Sequence, residues 1–104
     1  MQTNAPRLDT NAMTLTLAGR LDCESALPWL LHRGRLLNLA GWISRIDGHT
    51  ITMMLWGPAD LLDAMEVACS LGPGNVLVDS FDRADHRIER ISDTLELRDT
   101  PPFA

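Results

Sequence analysis

The chain has no lysine: its nine basic residues are all arginine, set against 14 acidic ones, and the formal net charge is −5. That balance argues against nucleic-acid phosphate as a partner, because such affinity comes mainly from clustered basic side chains. The missing lysine itself fits a bias of genomic base composition and needs no functional explanation. Cysteine is scarce, with only Cys23 and Cys69. Two cysteines cannot make a zinc site that needs about four ligands, and without a secretory leader they read as free thiols in a reducing cytoplasm. Cys23 lies between Asp22 and Glu24, whose charges raise a thiol pKa and disfavour a redox role. No run of 18 apolar residues occurs, so no membrane-spanning segment is expected. The opening MQTNAPRLDTNA is polar and reads as a loose tail over residues 1–11, not as a secretory signal.

Aromatics are also few, three tryptophans and two phenylalanines, without the paired rings of an RNA-stacking sheet. Trp29, Trp42 and Trp56 are read as core or sheet-face packing, with a ligand-stacking surface as the alternative. The three histidines are far apart: His32 on a helix surface, His49 in a hairpin, His86 in a charged segment. His49 and His86 are expected to be solvated, and no metal or cofactor is implied.

What is present is a globular composition, 45% hydrophobic over 104 residues, enough for one domain with its own core. Met13, Leu15 and Leu17 alternate with Thr14, Thr16 and Ala18, the period of a strand with one apolar face. Over 26–37 the apolar positions Leu27, Leu30, Leu31, Gly34 and Leu37 form a helical stripe. Ser25 suits its N-cap, Pro28 its first turn and Asn38 a left-handed C-terminal residue. Gly34 lowers helix propensity, and close packing on a sheet is its expected reason. Residues 42–46 and 50–56 read as two strands around Asp47-Gly48, a two-residue hairpin signal. A second helix begins near Pro58 and Asp60, stops at Gly72-Pro73, and carries Leu61, Leu62, Met65, Ala68, Cys69 and Leu71 as its buried stripe. Met53, Met54 and Met65 read as core filler.

Residues 76–81 form a fourth strand. The charged DRADHRIERISD that follows is either an irregular loop or an extension of the flanking strands, and marks a solvated surface. A last short strand covers 94–98, and the TPPFA tail cannot extend a sheet far. The order β-α-β-β-α-β plus one C-terminal strand predicts an α+β fold, a ferredoxin-like α/β sandwich with two helices on one sheet face. The domain is placed at 12–99, with 100–104 as a C-terminal tail.

The stretch GRLDCESALPWLLHRGRLLNLAGW, from Gly19 to Trp42, resembles the acylphosphatase family. That family reads G-R-V-Q-G-V-G-F-R, then a helix, then a segment ending in L-x-G-W-V-x-N. Gly19, Arg20, Pro28, Arg35, Leu37, Leu39, Gly41 and Trp42 fall where the pattern expects them. Asp47-Gly48, Gly57-Pro58, Gly72-Pro73, Asn75 to Phe81 and Leu95-Glu96-Leu97-Arg98 extend the likeness over roughly residues 12–99.

The resemblance implies a loop before the first helix whose backbone N–H groups wrap phosphate, an arginine that clamps it, and an asparagine that orients the attacking water. Amides form such a nest only where glycines let the chain turn tightly, and arginine supplies a fork matched to phosphate. This chain departs at each part. The family's arginine position is Leu27. Its asparagine position is Arg45, or is displaced by a one-residue deletion before Asp47-Gly48. Two loop glycines are Cys23 and Ser25, and Asp22 and Glu24 add carboxylates. Two like charges about 4 Å apart cost about 4 kcal/mol at an effective dielectric near 20. Arg45 donates hydrogen bonds only and cannot take a proton from water.

The candidate anion loop is therefore Arg20, Asp22, Cys23, Glu24, Ser25, Ala26 and Leu27, with Arg45 beside it. Arg45, with Arg20, either restores positive charge to the loop, or is an exposed strand residue or pairs with Asp22 or Glu24. The expected function is a bacterial-type pseudoenzyme, cytoplasmic, that has lost acyl-phosphate hydrolysis. It would act as a small interaction or regulatory module, binding another protein through an exposed sheet face or edge strand. The alternative is a divergent acylphosphatase that releases carboxylate and phosphate, with a small phosphate-containing ligand.

Overall fold

A computed structural model describes residues 10–21, 26–71 and 77–98. Five strands and two helices follow in the order β1 (Thr10–Arg20), α1 (Ala26–Leu36), β2 (Ala40–Asp47), β3 (Thr50–Trp56), α2 (Ala59–Leu71), β4 (Leu77–Ile88) and β5 (Leu95–Arg98). The sheet order is β4-β1-β3-β2-β5, antiparallel except for the parallel β2–β5 pair. This is the ferredoxin-like α+β sandwich that the periodicities predict. The tail boundary moves: Thr10 and Asn11 already belong to β1 and pair with Ile88 and Arg87.

The alternation in β1 and β3 builds the main core. Met13, Leu15 and Leu17 sit opposite Leu55, Met53 and Ile51, and all six are fully buried. Each such burial stabilises by roughly 1.5–3 kcal/mol. Leu30 from α1 and Leu62, Met65 and Cys69 from α2 close over them. α1 lies against β2 and β5, and α2 against β1 and β4. Gly34 meets the sheet as expected, since a Cβ there would run into the Leu95 side chain. Asn38 adopts φ 59°, and Leu39 N–H bonds Gly34 O while Asn38 N–H bonds Arg35 O, each at 3.0 Å. That pair of bonds is a Schellman cap. Arg35 then anchors the last strand, its Nε and Nη2 donating to Leu95 O at 3.2 and 2.9 Å.

Three expectations need correction, and one open pair of readings is decided. Leu71 is not in the buried stripe but exposed. At 100° per residue it stands about 200° around the helix from buried Cys69. The hairpin turn is Gly48-His49, one residue later than predicted: Asp47 pairs with Thr50, the register slips between Arg45 and Asp47, and Asp47 Oδ1 accepts the His49 N–H at 2.8 Å. Aspartate favours this side-chain turn, and the slip is a bulge at exposed Ile46. Of the two readings of the charged segment, extension of the preceding strand holds: over 82–88 it continues β4. It can do so because β4 is an edge strand, and Arg83 bonds Asp85 Oδ1 at 2.8 Å, Glu66 Oε1 at 2.5 Å and Asp63 Oδ1 at 2.9 Å. His86 is half-buried, not solvated, with Nε2 2.9 Å from Thr14 Oγ1.

The face of the sheet away from the helices carries a second cluster: Ala12, Trp42, Met54 and Trp56. The two indoles pack edge to face at 5.5 Å, and the Arg98 guanidinium stands 4.1 Å over the Trp42 ring. Cation–π contact of this kind favours a fixed ring.

Cys69 is the free cysteine among the described residues. Burial, with help from the Glu66 charge, pushes its thiol from 9.0 up to about 12. Its folded pKa therefore exceeds the unfolded one, so this contribution is present below pH 9 and is lost as pH rises towards 12. Unfolding monitored against pH should show stability falling by about 1.4 kcal/mol per unit across that window, and Cys69→Ala should flatten the fall. An unchanged slope in the variant would assign the alkaline loss elsewhere.

Candidate functional site

The candidate site lies where β1 ends, α1 begins and the β2–β3 hairpin turns back. Its first part is a well-tied strand end. Gly19 N–H bonds His49 O at 3.0 Å and Leu21 N–H bonds Gly48 O at 3.1 Å, while His49 Nδ1 lies 3.3 Å from Gly19 O. Gly19 has φ 153° and sits beside a register shift between Ala18 and Gly19 in the β1–β4 pairing. Glycine tolerates that backbone geometry, which re-aims the chain as it leaves the sheet.

Leu21 is fully buried and its carbonyl accepts Arg45 Nη1 at 2.5 Å. Arg45 is half-buried on β2, opposite Ile51, and reaches across to Leu21. What it holds there is a backbone carbonyl, so it is not the exposed strand residue anticipated. A guanidinium bond to a carbonyl is charge-assisted and fixes the start of the loop. Arg20 is exposed at the end of β1. Asp22, Cys23, Glu24 and Ser25 lie outside the described residues, as do the Ser25 cap and the Gly72-Pro73 stop.

On the far side, Ala26 is buried in the first turn of α1. Leu27 is half-buried and packs against the main core. An arginine here would project a fork at the helix N-terminus, whose unpaired amides favour anions. A leucine turns that position into hydrophobic packing. Among the described residues, the structure thus brings Arg45, Leu21, Ala26 and Leu27 to one end of the sheet, with Arg20 exposed at the end of β1.

Sequence reading missed the Leu21 carbonyl as the partner of Arg45. The signal was available: a strand-end carbonyl next to an arginine two strands away needs a register, which the hairpin supplies only once its turn is placed. Two cavities lined by described residues lie elsewhere. One, about 420 Å³, is bordered by Asn11, Ala59, Arg83 and Arg87, and the other, about 440 Å³, by Trp29, Arg33, Val67 and Leu71 between the helices. No three or more His, Cys, Asp or Glu side chains among the described residues gather as metal ligands.

An acylphosphatase of Acidiphilium cryptum is 36% identical over 63 residues, which cover 60% of this chain and 68% of that protein. The chain belongs to the acylphosphatase family. An acylphosphatase of Rhodospirillum rubrum is 38% identical over 54 residues, covering 51% of the chain and 58% of that relative. The family fold is equally plain in three dimensions. The crystal structure of acylphosphatase from Bacillus subtilis superposes with a TM-score of 0.80 at 16% identity, over 85% of this chain and 98% of that one. No protein-family model matches the chain. No helix of the described residues is long and apolar enough to cross a membrane.

Proposed function

We propose that this acylphosphatase-family protein does not hydrolyse acyl phosphates and serves as a small interaction or regulatory module. The observation that carries the reading is the state of the two positions where the family resemblance puts its working side chains. Leu27 is half-buried and packs against the core, and Arg45 is bonded to the Leu21 carbonyl. Neither arrangement clamps a phosphate or orients a water, and positioning is most of what phosphoryl-transfer catalysis requires. A fold outlives the site grafted on it, so the scaffold is free for another use.

The partner in this reading is a protein, since a net charge of −5 repels nucleic acid. Between the two surfaces that the sequence suggested, the edge is favoured. The centre of the helix-free sheet face is already filled by Trp42, Met54 and Trp56, whereas most of β4 is exposed. A reducing cytoplasm suits a protein whose described cysteine is a buried free thiol.

The test is direct. Purified protein given benzoyl phosphate should show no release of phosphate above the buffer rate. Titration with inorganic phosphate should leave the amide resonances of residues 20–27 unmoved. The second reading, a divergent acylphosphatase, draws on the close placement of Arg45 and on relatives named for that activity. Turnover that Arg45→Ala abolishes would establish it and end the first.

A further inference from the structure

β4 is a long edge strand, Leu77–Ile88, with β1 on one side and its other side open among the described residues. A long edge strand of this kind is a template for pairing, which proteins normally block with charge, proline or bulges. Here the charges are arranged so that one register rewards pairing. We propose that β4 pairs antiparallel with β4 of a second copy of this chain, about a twofold axis at Ala84. This deepens the interaction reading given above, and rests on β4 being the surface used.

The two faces of β4 differ in chemistry. Its register with β1 puts Phe81, Arg83, Asp85 and Arg87 on the helix side, opposite Leu17, Leu15, Met13 and Asn11, and Asp82, Ala84 and His86 on the other side. In a twofold antiparallel pair, residues equally far from the axis face each other on the same side. With Ala84 on the axis, Arg83 faces the partner's Asp85 and Asp85 faces the partner's Arg83. On the same side Phe81 faces the partner's Arg87, a cation–π pairing, and on the other side Asp82 faces the partner's His86. The overlap uses residues 80–88, all within the strand. Ala84 is exposed and small, so the backbones can approach at the centre.

Other axes do worse. At Asp82 or Asp85 two aspartates oppose each other, and at Arg83 two arginines do. At Phe81 only Asp79 and Arg83 match. At His86 the overlap shrinks to 84–88. Asp85 is free to act, since it accepts Arg83 Nε through one carboxylate oxygen while its side chain is 69% exposed. The interface is small, and small interfaces give weak, concentration-dependent association.

Cysteine placed on the axis reads the register. Opposed residues in an antiparallel pair bring Cα atoms within disulfide range. In a Cys23→Ser background, Ala84→Cys should form a disulfide-linked dimer under mild oxidation at roughly 100 µM protein, and Phe81→Cys should not. Ser80→Cys mixed with Ile88→Cys should cross-link, while neither does so alone. Sedimentation equilibrium should show a monomer–dimer equilibrium whose dissociation constant rises about tenfold in Asp85→Arg, which opposes like charges. A monomer at roughly 1 mM without cross-linking would overturn the proposal, and so would equal cross-linking at positions 81 and 84. A dimer that hydrolyses benzoyl phosphate would remove the function proposed above and leave this interface standing. A monomer without turnover would do the reverse.

Discussion

Gly41→Ala is expected to destabilise the fold by about 3–5 kcal/mol, from backbone strain and overpacking together. Gly41 has φ 131°, a backbone geometry that L side chains rarely adopt. A Cβ there would fall on the Met54 carbonyl of the neighbouring strand, not on a side chain that could rotate away. The residue also donates to Thr94 O at 2.9 Å, so shifting β2 to relieve the clash pulls on the segment that leads into β5. A loss of this size is a large share of the 5–15 kcal/mol typical of a domain. Chemical denaturation of the two proteins measures it, and a difference below about 1 kcal/mol would show that the sheet yields more easily than its geometry implies.

The double variant Leu27→Arg/Arg45→Asn is expected to raise benzoyl-phosphate hydrolysis by at least about a hundredfold over the native chain, the scale of one well-placed charge-stabilising group. Leu27 is only half-buried, so an arginine can leave its aliphatic stem on the core and carry its head outward. Asparagine at 45 has both a donor and an acceptor, as orienting a water requires. Each single variant should stay near background, because the two groups serve one transition state and their effects are not additive. A double variant no more active than the native protein would mean that the loop itself, with Asp22 and Glu24, is what denies phosphate entry. Binding of inorganic phosphate, followed by NMR, would separate that case from one in which phosphate binds but is not cleaved.

The elements that the sequence showed best are those with one buried face and sharp ends. β1 and β3 alternate because their odd residues meet the helices, and α1 ends where Asn38 turns left-handed. The readings failed where two environments overlap. Thr14, Ser44 and Thr52 look like solvent-facing positions but are buried, because β1, β2 and β3 have neighbours on both sides and Trp42, Trp56 and Met54 fill the other face. The charge of β4 left loop and strand both open, since an edge strand at the rim of a sheet can keep polar residues on either face. At the site, Leu27 was already singled out by the family resemblance in the sequence. The bond from Arg45 to Leu21 was not read, because it needs the strand register, which follows only once the hairpin turn is placed.

The registers also fix when this protein can become whole. Thr10 at the start of β1 pairs with Ile88, and Gly41 pairs with Leu95. β1 and β2 each flank β3, yet each keeps an unmatched edge until strands near the far end of the chain arrive. On a ribosome, the first half of the sheet emerges with two bare edges and must wait for residues 77–98. Pairings this distant in sequence place folding towards the slow end for small domains, milliseconds to seconds, rather than the microseconds of a helical bundle. Both bare edges are thus covered only after β4 and β5 have emerged.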